Sequence, residues 1–120
     1  MTRLAQREEQ IMQAFWLLEK AFVKDIIPEL PNPRPHYNSV ATMARILEEK
    51  GFLKHNVVGN MFQYYPIISK DDYQKYLLGR FVKQYFNGSF PNMLSYYAKT
   101  QNISQKELGE IIKLIKSKKQ

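Results

Sequence analysis

The 120-residue sequence contains no cysteine. Disulfides, thiolate metal sites and thiol nucleophiles are therefore excluded, and a reducing compartment is the expected setting. Glycine and proline are sparse, at five and six copies, which excludes collagen-like and linker-like chains. Apolar runs fall far short of the ~20 residues that a membrane span needs. Met1–Glu9 has no apolar signal region, so neither export nor membrane insertion is expected, and the cytoplasm is the expected location. No Gly-rich phosphate loop, no Ser–His–Asp set and no cofactor motif is present. The two histidines, His36 and His55, have no acidic residue at a ligand-like spacing. No metal, cofactor or enzymatic activity is expected.

Apolar residues make up 44 % and charged residues 24 % of the chain, the composition of a folded globular domain rather than a disordered one. The formal charge of +7 favours an anionic partner. It is unevenly placed. Residues 1–60 hold eight Lys/Arg against seven Asp/Glu, whereas residues 61–120 hold ten against four. Lys113, Lys116, Lys118 and Lys119 supply part of that excess as a basic tail. The carboxylate pairs Glu8-Glu9 and Asp71-Asp72 fall in the first turns of helical patterns, where they complement the helix dipole without catalysis.

Helical periodicity runs from about Leu4 to Glu19, with Ile11, Phe15, Leu18 and then Phe22 on one face. Val23, Ile26, Ile27 and Leu30 form a second stripe. Pro28 lies inside it, so that helix is expected to be short or bent. The third helix, about Tyr37 to Lys50, buries Val40, Met43, Ala44 and Leu47 and turns Asn38, Thr42, Arg45 and Glu49 outward. Gly51 suits its left-handed end. Aromatic and β-branched residues on both sides of Gly59-Asn60 read as a β-hairpin. After Pro66 three more helices are expected. They are capped at Ser69, Ser89 and Ser104, and Asn87-Gly88 ends the first of them.

Three helices and then a hairpin is the order of a winged helix-turn-helix, so the fold class is mainly α. A winged helix is expected over residues 1–68 and a three-helix region over 69–120. The polar side of the third helix suits the major groove of double-stranded DNA, because Asn pairs with adenine and Arg with guanine. Base-readout candidates are Asn38, Ser39, Thr42 and Arg45. Backbone and wing candidates are Arg34, Tyr37, Lys54, His55 and Asn60. Winged helices also serve as protein-interaction modules, and that alternative stays open.

The region 69–120 carries more aromatic surface than so short a segment can cover alone. A second copy of the chain is the simplest cover, with Leu77, Phe81, Tyr85, Phe86, Leu94, Ile111 and Ile115 at the contact. The competing arrangement packs these aromatics back on their own chain.

Phe22–Ile27, Tyr37–Phe52 and Tyr64-Tyr65-Pro66 resemble the penicillinase repressor family of bacterial winged-helix transcriptional repressors. Asn87–Phe90 and Tyr97-Ala98-Lys99 are similar to the start of that family's dimerisation region. The resemblance implies a homodimer on a palindromic DNA operator that controls a β-lactam-resistance-type or related gene cluster. For the family's β-lactam branch it also implies a membrane sensor-protease, or a protease that the sensor activates, with the repressor cut within its C-terminal region. The corresponding bond is Tyr96–Tyr97, with Tyr96 standing where the family has Asn. The family's copper-responsive branch uses Cys pairs, which this chain lacks.

Overall fold

Glu19 ends the first helix in a left-handed conformation, φ +70, and this reversal organises the N-terminal half. The computed structural model describes residues 1–118. Lys119 of the basic tail and Gln120 lie outside the described residues. Helix α1 spans Gln6–Leu18 and buries Ile11, Met12, Ala14 and Phe15. After the reversal, Ala21–Phe22 forms a two-residue strand, β1, in place of a further helical turn. Leu18 is exposed and Phe22 lies off the helix, so the stripe expected for the first helix stops at Phe15. Helix α2, Val23–Ile26, begins where Asp25 Oδ2 accepts from the Phe22 N–H. It passes into a 3-10 turn, Ile27–Glu29, that contains Pro28. The short, interrupted helix follows from the missing proline N–H.

Helix α3, Tyr37–Glu49, buries Val40, Ala44 and Leu47. Its end is a Schellman motif. The Phe52 N–H donates to Leu47 O and the Gly51 N–H to Glu48 O, with Gly51 at φ +84. Leu47 and Phe52 are both fully buried beside this closure, the apolar contact that usually accompanies the motif. Strands β2, Leu53–Val58, and β3, Met61–Pro66, form the hairpin, with Val58 opposite Met61 across Gly59-Asn60. Gly59 has φ +63, which a side chain would disfavour at the first position of so tight a turn. β1 adds antiparallel to β3, giving a three-stranded sheet in the order β1-β3-β2.

Helix α4, Lys70–Phe86, starts where Ser69 Oγ accepts from the Asp72 N–H. Helices α5, Phe90–Thr100, and α6, Gln105–Lys118, start in the same way, at Ser89 on the Asn92 N–H and at Ser104 on the Glu107 N–H. The chain is thus mainly helical, with a winged helix-turn-helix followed by a helical region.

The described residues group into two compact units, 1–77 and 78 onward. The division falls inside α4. Within the first unit Tyr73 is buried, packing edge-on to Phe52 and against Trp16, while Tyr76 and Leu77 rest on the same core. Tyr73 Oη accepts from the Leu4 N–H and donates to Glu9 Oε2. Trp16 Nε1–H donates to Ile68 O. Burial drives the Tyr73 phenol above its usual pKa. The Glu9 carboxylate adds to that rise, and the Leu4 N–H partly offsets it. Among the described residues no helix is long and apolar enough to cross a membrane.

Candidate nucleic-acid interface

The α3 stripe Val40, Ala44 and Leu47 is fully buried, which forces the opposite side of the helix outward. At 100° per residue, Asn38, Thr42, Arg45 and Glu49 fall within about 60° of one another. All four are exposed, and so is Ser39. The Thr42 hydroxyl donates to Asn38 O at 2.9 Å, which steadies its rotamer and leaves its lone pairs free to accept. Arg45 makes no hydrogen bond or ion pair among the described residues. Its five donors stand on a helix with no hydrogen-bond partner among the described residues, the state in which an Arg can take a guanine edge.

The wing sits beside this helix. Tyr37 and Ala41 of α3 face Asn60, Met61 and Phe62 of the hairpin across a cleft of about 240 Å³. Two sequence candidates, Tyr37 and Asn60, therefore meet at one place. Lys54 is exposed on β2, opposite Tyr65. Between Lys54 and Lys70 the chain has no Lys, Arg, Asp or Glu, and the wing tip exposes Val57, Val58 and Phe62. The cationic contribution of the wing thus rests on Lys54. Arg34 is exposed but engaged, because its guanidinium donates to Pro28 O and Leu30 O and closes the Pro28–Arg34 turn. His55 is half-buried. Its Nδ1 lies 2.6 Å from Glu48 Oε1 of α3, and its ring stacks on Phe62 with centroids 4.0 Å apart.

Buried Tyr64 lies beneath this region, and burial, first of all, raises its phenol pKa. The Glu48 charge raises it further and Arg45 draws it back. At the far end of α3, Lys50 Nζ pairs with Glu8 Oε2 at 2.8 Å, while Glu8 Oε1 accepts from the Ala5 N–H. Burial alone would raise the Glu8 carboxyl, but these bonds and the Lys50 charge outweigh it and hold the group below its ordinary value.

The second unit is built differently. Of its expected contact residues, Phe81, Tyr85 and Ile115 are exposed, while Phe86, Leu94 and Ile111 are half-buried. Leu77 lies in the first unit, half-buried against that unit's core. Phe81 touches Tyr85 and Phe86, and Phe86 touches Tyr96. An open groove lined by Leu94, Ala98, Ile103 and Leu108 runs between α5 and α6. Tyr96 and Tyr97 are both exposed on α5.

The reading of the sequence did not connect Glu48, Phe62 or Glu8 to any partner. Glu48 and His55 are seven residues apart across a helix end and a glycine turn, a separation that no periodic pattern marks.

A profile described as penicillinase repressor matches residues 4–117. The penicillinase repressor of Bacillus licheniformis is 24 % identical over 118 residues, covering 98 % of this chain and 92 % of that one. The methicillin resistance regulatory protein MecI of Mammaliicoccus sciuri is 22 % identical over 116 residues, covering 96 % and 94 %. Its counterpart in Staphylococcus aureus strain N315 matches to the same extent. Among solved structures, a CopR repressor aligns with TM-score 0.47 and 25 % identity, covering 57 % of this chain and all of that one.

Proposed function

The chain belongs to the penicillinase repressor family, a family of transcriptional repressors rather than enzymes, and we propose that it acts as a homodimer on a palindromic operator. The observation that carries this reading is the exposed polar side of α3, with Arg45 unpaired beside Asn38, Ser39 and Thr42. These four residues read bases. Arg34, Tyr37, Lys54 and Asn60, with His55 beside them on the wing, hold the phosphate backbone, which positions the helix without specifying sequence. Residues 1–68 supply the DNA-binding surface. Residues 69–120 supply self-association, with the first turns of α4 as the anchor between the two roles.

A dimer delivers two copies of α3 to half-sites about one helical turn, ~34 Å, apart. The regulated genes are a β-lactam-resistance-type or related cluster, in keeping with the named relatives. Release follows cleavage at Tyr96–Tyr97 by a membrane sensor-protease or a protease that it activates, acting in the cytoplasm. The exposure of both tyrosines supports this step, which removes α6 from the self-association region.

A gel shift with the DNA upstream of the chain's own gene tests the reading. A retarded band that survives competitor DNA and maps to a palindrome is expected. A chain that fails to shift any duplex at low salt would overturn it in favour of a protein-interaction module.

A further inference from the structure

We infer that the Glu48–His55 pair, backed by the Phe62 ring, is the strut that sets the wing against the recognition helix. The role is one of positioning, and it rests on the DNA-binding reading above. Three elements meet here. Glu48 comes from the last turn of α3, His55 from β2 and Phe62 from β3. A carboxylate only accepts, so His55 Nδ1 carries the proton and donates to Glu48 Oε1 at 2.6 Å. The imidazole lies nearly parallel to Phe62, at 14°, so it cannot swing away without giving up that stacking. Both members of the pair are about a quarter to a third exposed, at 26 % and 30 %, so solvent screens them less than a surface pair.

Among the described residues this is the one side-chain hydrogen bond between α3 and the hairpin. The backbone link is Lys50-Gly51-Phe52, with Gly51 left-handed. That turn fixes where β2 starts, and β1 holds β3 at Tyr64 and Gln63; β2 is the edge strand, and the Glu48–His55 bond ties that edge to α3. Nor does the wing carry a row of cations that phosphates could orient after docking, since it has no charged residue beyond Lys54. Its angle must be set before DNA arrives, and the strut is placed to set it.

The acceptor of the bond is a carboxylate, which makes it stronger than a bond between neutral groups. The other polar groups near the ring are Tyr64 on β3, whose ring lies 5.6 Å away, and Lys54, which precedes His55 on β2.

The test is fluorescence anisotropy with the duplex shifted by the wild-type chain, for wild type, His55→Ala and Glu48→Gln. Both variants should bind about tenfold more weakly per half-site, as expected for loss of one charge-assisted bond. Variants that match wild type in affinity would overturn the strut and leave the DNA-binding reading intact. A wild-type chain that binds no duplex would overturn both. Should His55→Ala fail to fold, the near-isosteric Glu48→Gln decides alone. The NMR signal of the His55 Nδ1–H gives an answer without DNA, because a signal unmoved by Glu48→Gln would equally reject the pair.

Discussion

Residues 1–77 and residues 78–120 contain similar kinds of side chain but use them in opposite ways. Every buried apolar residue among those described lies in the first unit, with the single exception of Val82. In the second unit Phe81, Tyr85, Phe90, Tyr96, Tyr97, Ile112, Leu114 and Ile115 are all exposed. Helix α4 shows how one sequence pattern produces both outcomes. Tyr73, Leu77, Phe81 and Tyr85 recur every four residues, and each step of four advances 40° around a helix with 3.6 residues per turn. Tyr73 and Tyr85 therefore point about 120° apart. The first is 3 % exposed and the second 64 %. The first unit completes its own core, whereas the second leaves most of its large apolar side chains at the surface.

The largest effect should come from placing a charge on that surface. Phe81→Asp is expected to give a monomer by sedimentation, because an unpaired charge in an apolar contact is costly. Operator affinity should fall by ~10²–10⁴, the loss of effective concentration for the second half-site. A Phe81→Asp dimer of normal affinity would break the comparison. Next in size, Phe52→Ala should destabilise the first unit by ~3–5 kcal/mol in urea unfolding, since Phe52 is fully buried between the α3 closure and Tyr73.

Much of this architecture is legible in the sequence, for local reasons. Ser69, Ser89 and Ser104 cap helices through bonds to the third residue on, and Gly51 closes α3, so each signal lies within a few residues of what it specifies. The α3 stripe is equally local, and it turns the polar side of the helix outward. Strand β1 is not legible, because two residues carry no period. The Tyr73–Leu4 and Glu8–Lys50 bonds span 69 and 42 residues, and only the packed core brings their ends together. Arg34 reads as a phosphate ligand by charge alone, yet its donors also serve the turn in which it sits.

Smaller changes sharpen the contrast within the first unit. Arg45→Ala should cost ~1–3 kcal/mol on the operator and relax specificity at one position per half-site, while Lys54→Ala should weaken all sequences alike and lower the salt slope by about one unit. Equilibrium titrations on operator and random duplex across a salt series separate the two.

The smallest effect expected is at Glu8. Its folded-state pKa is depressed from an ordinary value of 4.5, so its contribution is present above that value and is lost as pH falls through the lower folded value. Acid unfolding followed by circular dichroism should show Glu8→Gln flattening that decline, by less than about 1 kcal/mol.

The most direct test of the contrast between the two units is sedimentation equilibrium of the wild-type chain near 10 µM, a concentration at which interfaces of ~1,200 Å² or more persist. A mass of twice 14.2 kDa is predicted. A species of 14.2 kDa at that concentration and above would show that residues 78–120 expose their aromatic surface to no partner copy, and would contradict the account.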